Sequence, residues 1–98
     1  MRAIYKKPGE KPQVIDIDNS LKALQEAVGC YIETITFATD ACIVCNEEGR
    51  LKKMPYNCKL LGVELVGPVL VVGVDGDEFT DLYKPEVVLD GLFGEVEA

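Results

Sequence analysis

Residues 31–53, YIETITFATDACIVCNEEGRLKK, constrain the fold of this chain more than any other stretch. Tyr31, Glu33, Ile35 and Phe37 alternate with Ile32, Thr34, Thr36 and Ala38. This period of two, carried by β-branched and aromatic residues, predicts a strand over Tyr31–Ala38. Thr39-Asp40 is a polar break, Ala41–Cys45 reads as a second strand, and Asn46–Gly49 has turn chemistry. Arg50–Lys53 is expected as a third, more exposed strand. An antiparallel β-sheet meander follows, around which the rest of the chain is arranged.

Before the meander, Arg2–Lys6 predicts a strand with Ile4 facing in, Pro8-Gly9 a turn, and Gln13–Ile17 the returning strand. Asp18, Asn19 and Ser20 are competent helix N-caps, so one principal α-helix is expected at about 20–28. Leu21, Leu24 and Val28 form its apolar stripe, and Gly29 is suited to a left-handed stop. After the meander, Met54–Val66 reads as a loop with a short helical turn, and Gly67–Val74 as a buried strand. Asp75-Gly76 favours a two-residue turn into a return strand over Asp77–Leu82. Pro85 opens a short C-terminal helix docked by Val88, Leu89, Leu92 and Phe93, and Gly94–Ala98 is expected to fray. The fold class is α+β, within one small globular domain spanning residues 1–98.

The formal net charge of −7 is unevenly placed. Residues 1–59 carry nine basic and eight acidic side chains, whereas residues 60–98 carry Lys84 against nine acids. Such a second half repels nucleic acid, which argues against direct nucleic-acid binding. Arg50, Lys52, Lys53 and Lys59 form a small basic group, read either as a solvated strand face or as an anion-binding patch. No window approaches the roughly 18 uninterrupted apolar residues of a membrane helix, and no signal peptide is evident. A cytoplasmic protein is expected.

CIVC, at Cys42–Cys45, is a CxxC. Strand alternation sends Cys42 and Cys45 to opposite faces, which opposes a shared metal, and no helix start is predicted nearby to activate a thiol. Cys30, Cys42, Cys45 and Cys58 are therefore expected as reduced, metal-free thiols. The run Asp75–Glu78 fails the calcium-loop pattern, since Phe79 and Thr80 fall at its fifth and sixth positions. The chain has no histidine and no P-loop or dinucleotide glycine pattern, so no enzyme activity and no cofactor are expected. Glu33 shares a predicted strand face with Tyr31, Ile35 and Phe37, and is expected at a sheet edge or paired with a basic group.

The segments GCYIETI, CIVCNEEGRL, PYN and GPVLVVGVD, together with DIDNSLKALQEAVG, resemble the family called Domain of Unknown Function 3846 over roughly residues 1–84. Its more specific motifs match Gly29–Glu33 and Cys45–Gly49, with Asn57 a further polar match. The resemblance implies a small protein of a phage, plasmid or conjugative element, with no assigned enzyme activity. Under that resemblance two functions are expected. One is counter-defence capture of a small nucleotide-like ligand by Tyr31, Glu33, Asn46, Glu47 and Asn57, with Arg50 and Lys52 facing phosphate. The other is an acidic module, possibly a DNA mimic, that docks a basic partner such as a host defence protein. A strand edge in so small a sheet also predicts self-association, most simply as a homodimer.

Overall fold

The computed structural model describes residues 1–29, 31–49 and 51–94. In chain order the elements are β1 (Arg2–Lys6), β2 (Gln13–Asp16), α1 (Leu21–Val28), β3 (Ile32–Ala38), β4 (Ala41–Asn46), β5 (Tyr56–Leu60), β6 (Val63–Val66), β7 (Val69–Asp75), β8 (Glu78–Thr80) and α2 (Pro85–Phe93). The main sheet is antiparallel in the order β2-β1-β7-β4-β3. β8 continues past β1 on the same side of β7, because Gly73 faces Ala41 on one side and Thr80 on the other. The arrangement is α+β, as the alternation predicts, but it is not a simple meander. β7, the most apolar strand, inserts between β1 and β4 and is buried from Val69 to Gly73.

Each face of the sheet supports its own core. On one face α1 covers Ala3, Cys42, Val44, Leu70 and Val72 with Leu24 and Val28. Ser20 caps α1, its Oγ accepting from the Ala23 N–H at 3.1 Å, and Gly29 ends it at φ 104°. Leu21 does not join the stripe: it stands at the first turn of the helix, outside this core, and is 60% exposed. On the other face Leu60, Leu65 and Phe93 cover Ile4, Ile43, Val69 and Val71. The covering elements there are the β5–β6 hairpin, a second sheet of its own, and α2. Cys42 lies in the first core and Cys45 in the second, as alternation along β4 requires.

Three segments differ from the sequence-based expectation. Leu51–Lys53 is a turn rather than a third strand, with Lys52 N–H donating to Glu48 O at 2.9 Å and Lys53 at φ 53°; Arg50 lies outside the described residues. The chain bends here because it is leaving the main sheet to start β5. Residues 54–66, expected as a loop, contain the β5–β6 hairpin. Its two-residue turn is Leu61-Gly62, at φ 51° and 82°. Both central residues are in the left-handed region, the requirement of a type I′ turn, and a leucine there conceals the usual Asn-Gly signature. Further on, Asp75 pairs with Glu78, so Gly76-Asp77 rather than Asp75-Gly76 occupies the centre of that turn. β8 is shorter than Asp77–Leu82 because Asp81 leaves the ladder: its Oδ1 accepts from the Arg2 N–H at 2.8 Å. Gly73 leaves room for the Asp81 carbonyl, which any Cβ would meet. The expected fraying falls mostly on residues 95–98, which lie outside the described residues.

The hairpin is tied to the main sheet by a polar contact inside the core. Tyr56 pairs with Val66 and Cys58 with Leu65, so Asn57 is the extra residue of a β-bulge, and its side chain turns inward. Asn57 Nδ2 donates to Lys6 O at 2.9 Å and to Gly67 O at 2.7 Å. Its Oδ1 accepts from Lys6 Nζ at 2.9 Å, and Lys6 is only 1% exposed. The same amine also donates to Lys7 O, at a longer 3.4 Å. Burying even a neutral polar group with no such partner costs about 2–7 kcal/mol, and an ammonium more, so Asn57 is the nearer of the two acceptors that let a lysine be buried at the end of β1.

Two stability predictions follow from this packing. Leu24→Ala should lower stability by about 2–5 kcal/mol in chemical denaturation, and an unchanged midpoint contradicts the α1 packing. Asn57→Ala removes the nearer acceptor of Lys6 Nζ and both donated bonds, so a loss of about 3 kcal/mol or more is expected. A loss under about 0.5 kcal/mol, the range of ordinary surface changes, contradicts the clamp.

Candidate functional site

A cleft lies where the β3–β4 end of the sheet meets β6. It has a volume of about 180 Å³ and is lined by Glu33 and Ile35 of β3, Cys45 and Asn46 of β4, Glu47, Leu51, and Val63–Val66 of β6. β3 and β4 supply a wall because their alternation puts Glu33, Ile35 and Cys45 on the hairpin-facing side. β6 supplies the opposite wall because Leu65 is drawn into the core beneath it. Leu51, carried on the turn after Gly49, stands at the rim and is 84% exposed. The turn is tight at this point: a Cβ on Gly49 would lie 2.9 Å from Val66 Cγ2.

Of the residues singled out in the sequence, Glu33, Asn46 and Glu47 come together on this cleft. Glu33 is exposed on the edge strand, and neither it nor Glu47 has an ion-pair partner among the described residues. The basic partner expected for Glu33 is therefore absent there; an edge position leaves the carboxylate hydrated, and no pairing is required. Asn46 is buried and committed internally. Its Nδ2 donates to Val28 O at 3.1 Å, closing the end of α1, and its Oδ1 accepts from the Glu48 N–H at 2.8 Å. Tyr31, just before β3, is 60% exposed but does not line the cleft. Lys52 is exposed on the turn and also stands off the lining, Asn57 is inside the clamp, and Arg50 lies outside the described residues. Lys53 and Lys59 are likewise solvent-exposed.

Sequence reasoning missed β6, which contributes Val63, Glu64, Leu65 and Val66. The available signal was the alternation of Cys58, Leu60, Val63 and Leu65 with Lys59 and Glu64 on either side of Leu61-Gly62. The lining is thus carboxylates over apolar walls: Glu33 and Glu47 against Ile35, Leu51, Val63 and Val66, with no basic side chain among the described lining residues. Such a surface favours a cation, or a group rich in hydrogen-bond donors, over a phosphate.

The thiols are set for packing rather than reactivity. Cys42, Cys45 and Cys58 are buried and free, and Cys30 lies outside the described residues. Among the described residues no cluster of potential ligands could hold a metal ion. Burial pushes the Cys42 thiol up. It also raises Cys58, where nearby Lys6 offsets part of the effect. Cys45 is pushed from 9.0 up to about 11, first by burial and then by the charge of Glu33. The unfolded chain therefore releases the Cys45 proton before the folded chain does. The associated stability is fully present below about pH 9 and is lost as pH rises toward about 11. The difference in denaturation midpoint between the parent and Cys45→Ala should be constant up to about pH 8.5 and shrink above it. A constant difference throughout contradicts this environment for the thiol.

No helix among the described residues is long and apolar enough to cross a membrane. No curated protein and no solved structure matches the chain. A family model described as Domain of unknown function (DUF3846) matches residues 1–89, which takes in every strand and the start of α2. The chain belongs to the DUF3846 family.

Proposed function

We propose that this protein is a non-enzymatic binding module that engages a positively charged protein partner through the cleft between β3 and the β5–β6 hairpin. The observation that carries this reading is the lining itself. Glu33 and Glu47 are exposed carboxylates above apolar walls, and no basic side chain joins them among the described lining residues. The size of the cleft supports the same reading. At about 180 Å³ it is smaller than the roughly 300–1,000 Å³ of pockets that hold drug-sized molecules, and closer to the size of one long side chain. The net charge of −7 would steer a basic partner toward the surface. The mobile-element setting implied by the family resemblance is compatible with a partner from the host, including a component of its defences.

Capture of a small nucleotide-like ligand is the second reading. Its support is that Glu33, Asn46 and Glu47, three residues expected to contact such a ligand, lie together on the cleft. Carboxylates could accept from ribose hydroxyls, and Tyr31 offers an exposed ring beside the site.

The two readings separate in one set of measurements. Two fluorescent nonapeptide pools, identical except for arginines in one and glutamates in the other, are titrated with the protein and with Glu33→Gln/Glu47→Gln. The arginine pool should bind with a salt-dependent affinity that falls about three- to tenfold in the double variant. Cyclic and ADP-ribose-derived nucleotides should leave the melting temperature unchanged. Equal behaviour of the two pools overturns the proposed function, and a nucleotide that raises the melting temperature favours the second reading.

A further inference from the structure

We infer that the free edge of β3 receives an extended, basic segment of the partner, which adds to the sheet as a further strand and sends a Lys or Arg side chain into the cleft. This deepens the proposed function and rests on its reading of the cleft as a site for a cationic partner.

The backbone geometry carries the inference. Glu47 N–H donates to Tyr31 O at 2.9 Å, and β3 then pairs with β4 from Ile32↔Asn46 to Thr36↔Cys42. The alternation of an antiparallel ladder turns the backbone groups of Glu33 and Ile35 toward β4, and those of Ile32, Thr34 and Thr36 away from it. No strand pairs with that outer side among the described residues. Exposed edges are ordinarily blunted by Pro, by Lys or by shortness. β3 is 7 residues long, IETITFA, without Pro or Lys, and its one register shift lies at the far end, between Thr36 and Ala38, beyond the stretch that carries Glu33 and Ile35; the opposite edge strand β2 has 4 residues and follows Pro12.

The position of the carboxylates selects the occupant. An added strand would lie about 4.8 Å beyond β3, with alternate side chains on the face that carries Glu33 and Ile35, at the mouth of the cleft. From there a long cationic side chain can rest its apolar stem on Ile35, Leu51 and Val63 while its head reaches Glu33 and Glu47. This is strand addition with one specificity pocket, in which main-chain bonds supply affinity and the pocket reads a side chain. A second copy of the chain fits less well. It would bring a net charge of −7 and its own Glu33 to the same acidic edge.

The test uses the tightest-binding single peptide from the arginine pool. Thr34→Pro removes an outward N–H from an exposed edge position and leaves both carboxylates in place, and should weaken that peptide about tenfold or more. Methylating alternate backbone amides of the peptide should do the same with the parent protein, so the result does not depend on the variant folding. Replacing the peptide's arginine with norleucine should also weaken it about tenfold. Strong binding that survives both the Thr34→Pro change and amide methylation in either register overturns strand addition while leaving a cationic docking site in place. Failure of any arginine peptide to bind overturns both readings. A dimer in sedimentation velocity that Thr34→Pro abolishes assigns the edge to a second copy and also overturns the inference.

Discussion

The buried contact between Lys6 and Asn57 is the interaction on which the second face of the protein depends. One side chain accepts from an amine that is 1% exposed and donates to two main-chain carbonyls, Lys6 O on β1 and Gly67 O just before β7. Asn57 reaches all three only because the bulge in β5 turns it inward, away from the residue that strict alternation would place there. A two-stranded hairpin is marginal by itself in water, and this one is held by packing of Leu60 and Leu65 together with that polar clamp. The apolar contacts give it a place to rest; the clamp gives it one register and one angle. Buried polar networks of this kind specify an arrangement when every member is satisfied, and no buried side-chain nitrogen or oxygen is left without a partner among the described residues.

The cleft is a consequence of that seating. The sheet offers β3 as an open edge, and the hairpin stands over the same face, so the space between them is bounded by a strand edge on one side and β6 on the other. The remaining polar geometry of the site is structural: Asn46 closes α1 through Val28 O and, through the Glu48 N–H, opens the turn that carries Glu47 to the rim. The groups left free for a partner are therefore the exposed ones, the carboxylates of Glu33 and Glu47 and the apolar side chain of Leu51. Their chemistry points toward a basic side chain with an apolar stem, and away from a phosphate.

Local signals were legible in the sequence wherever one residue type dictates the backbone. Ser20 and Gly29 bound α1, Pro85 opens α2, and the β3–β4 hairpin follows from alternation on either side of Thr39-Asp40. The opposite orientations of Cys42 and Cys45 follow from the same periodicity. The order of strands was not legible, because the placement of β7 between β1 and β4 is a long-range choice made by burial of its apolar run. The β5–β6 hairpin was hidden by Pro55 and by Leu61, which adopts a conformation that leucine rarely takes. Missing that hairpin meant missing half of the cleft. Asn57 was marked as a polar position, but its part in burying Lys6 depends on a bulge that no local pattern announces.

The central claim is that the cleft made by β3, Glu47, Leu51 and β6 is the working surface of the molecule. Amide-resolved NMR of the isotope-labelled chain, titrated with an arginine-containing peptide that binds it, tests this most directly. The account predicts shift changes concentrated at Ile32–Phe37, Glu47, Leu51 and Val63–Val66. Changes concentrated instead on α1, around Lys22 and Glu26, or on α2, with the cleft silent, would contradict it.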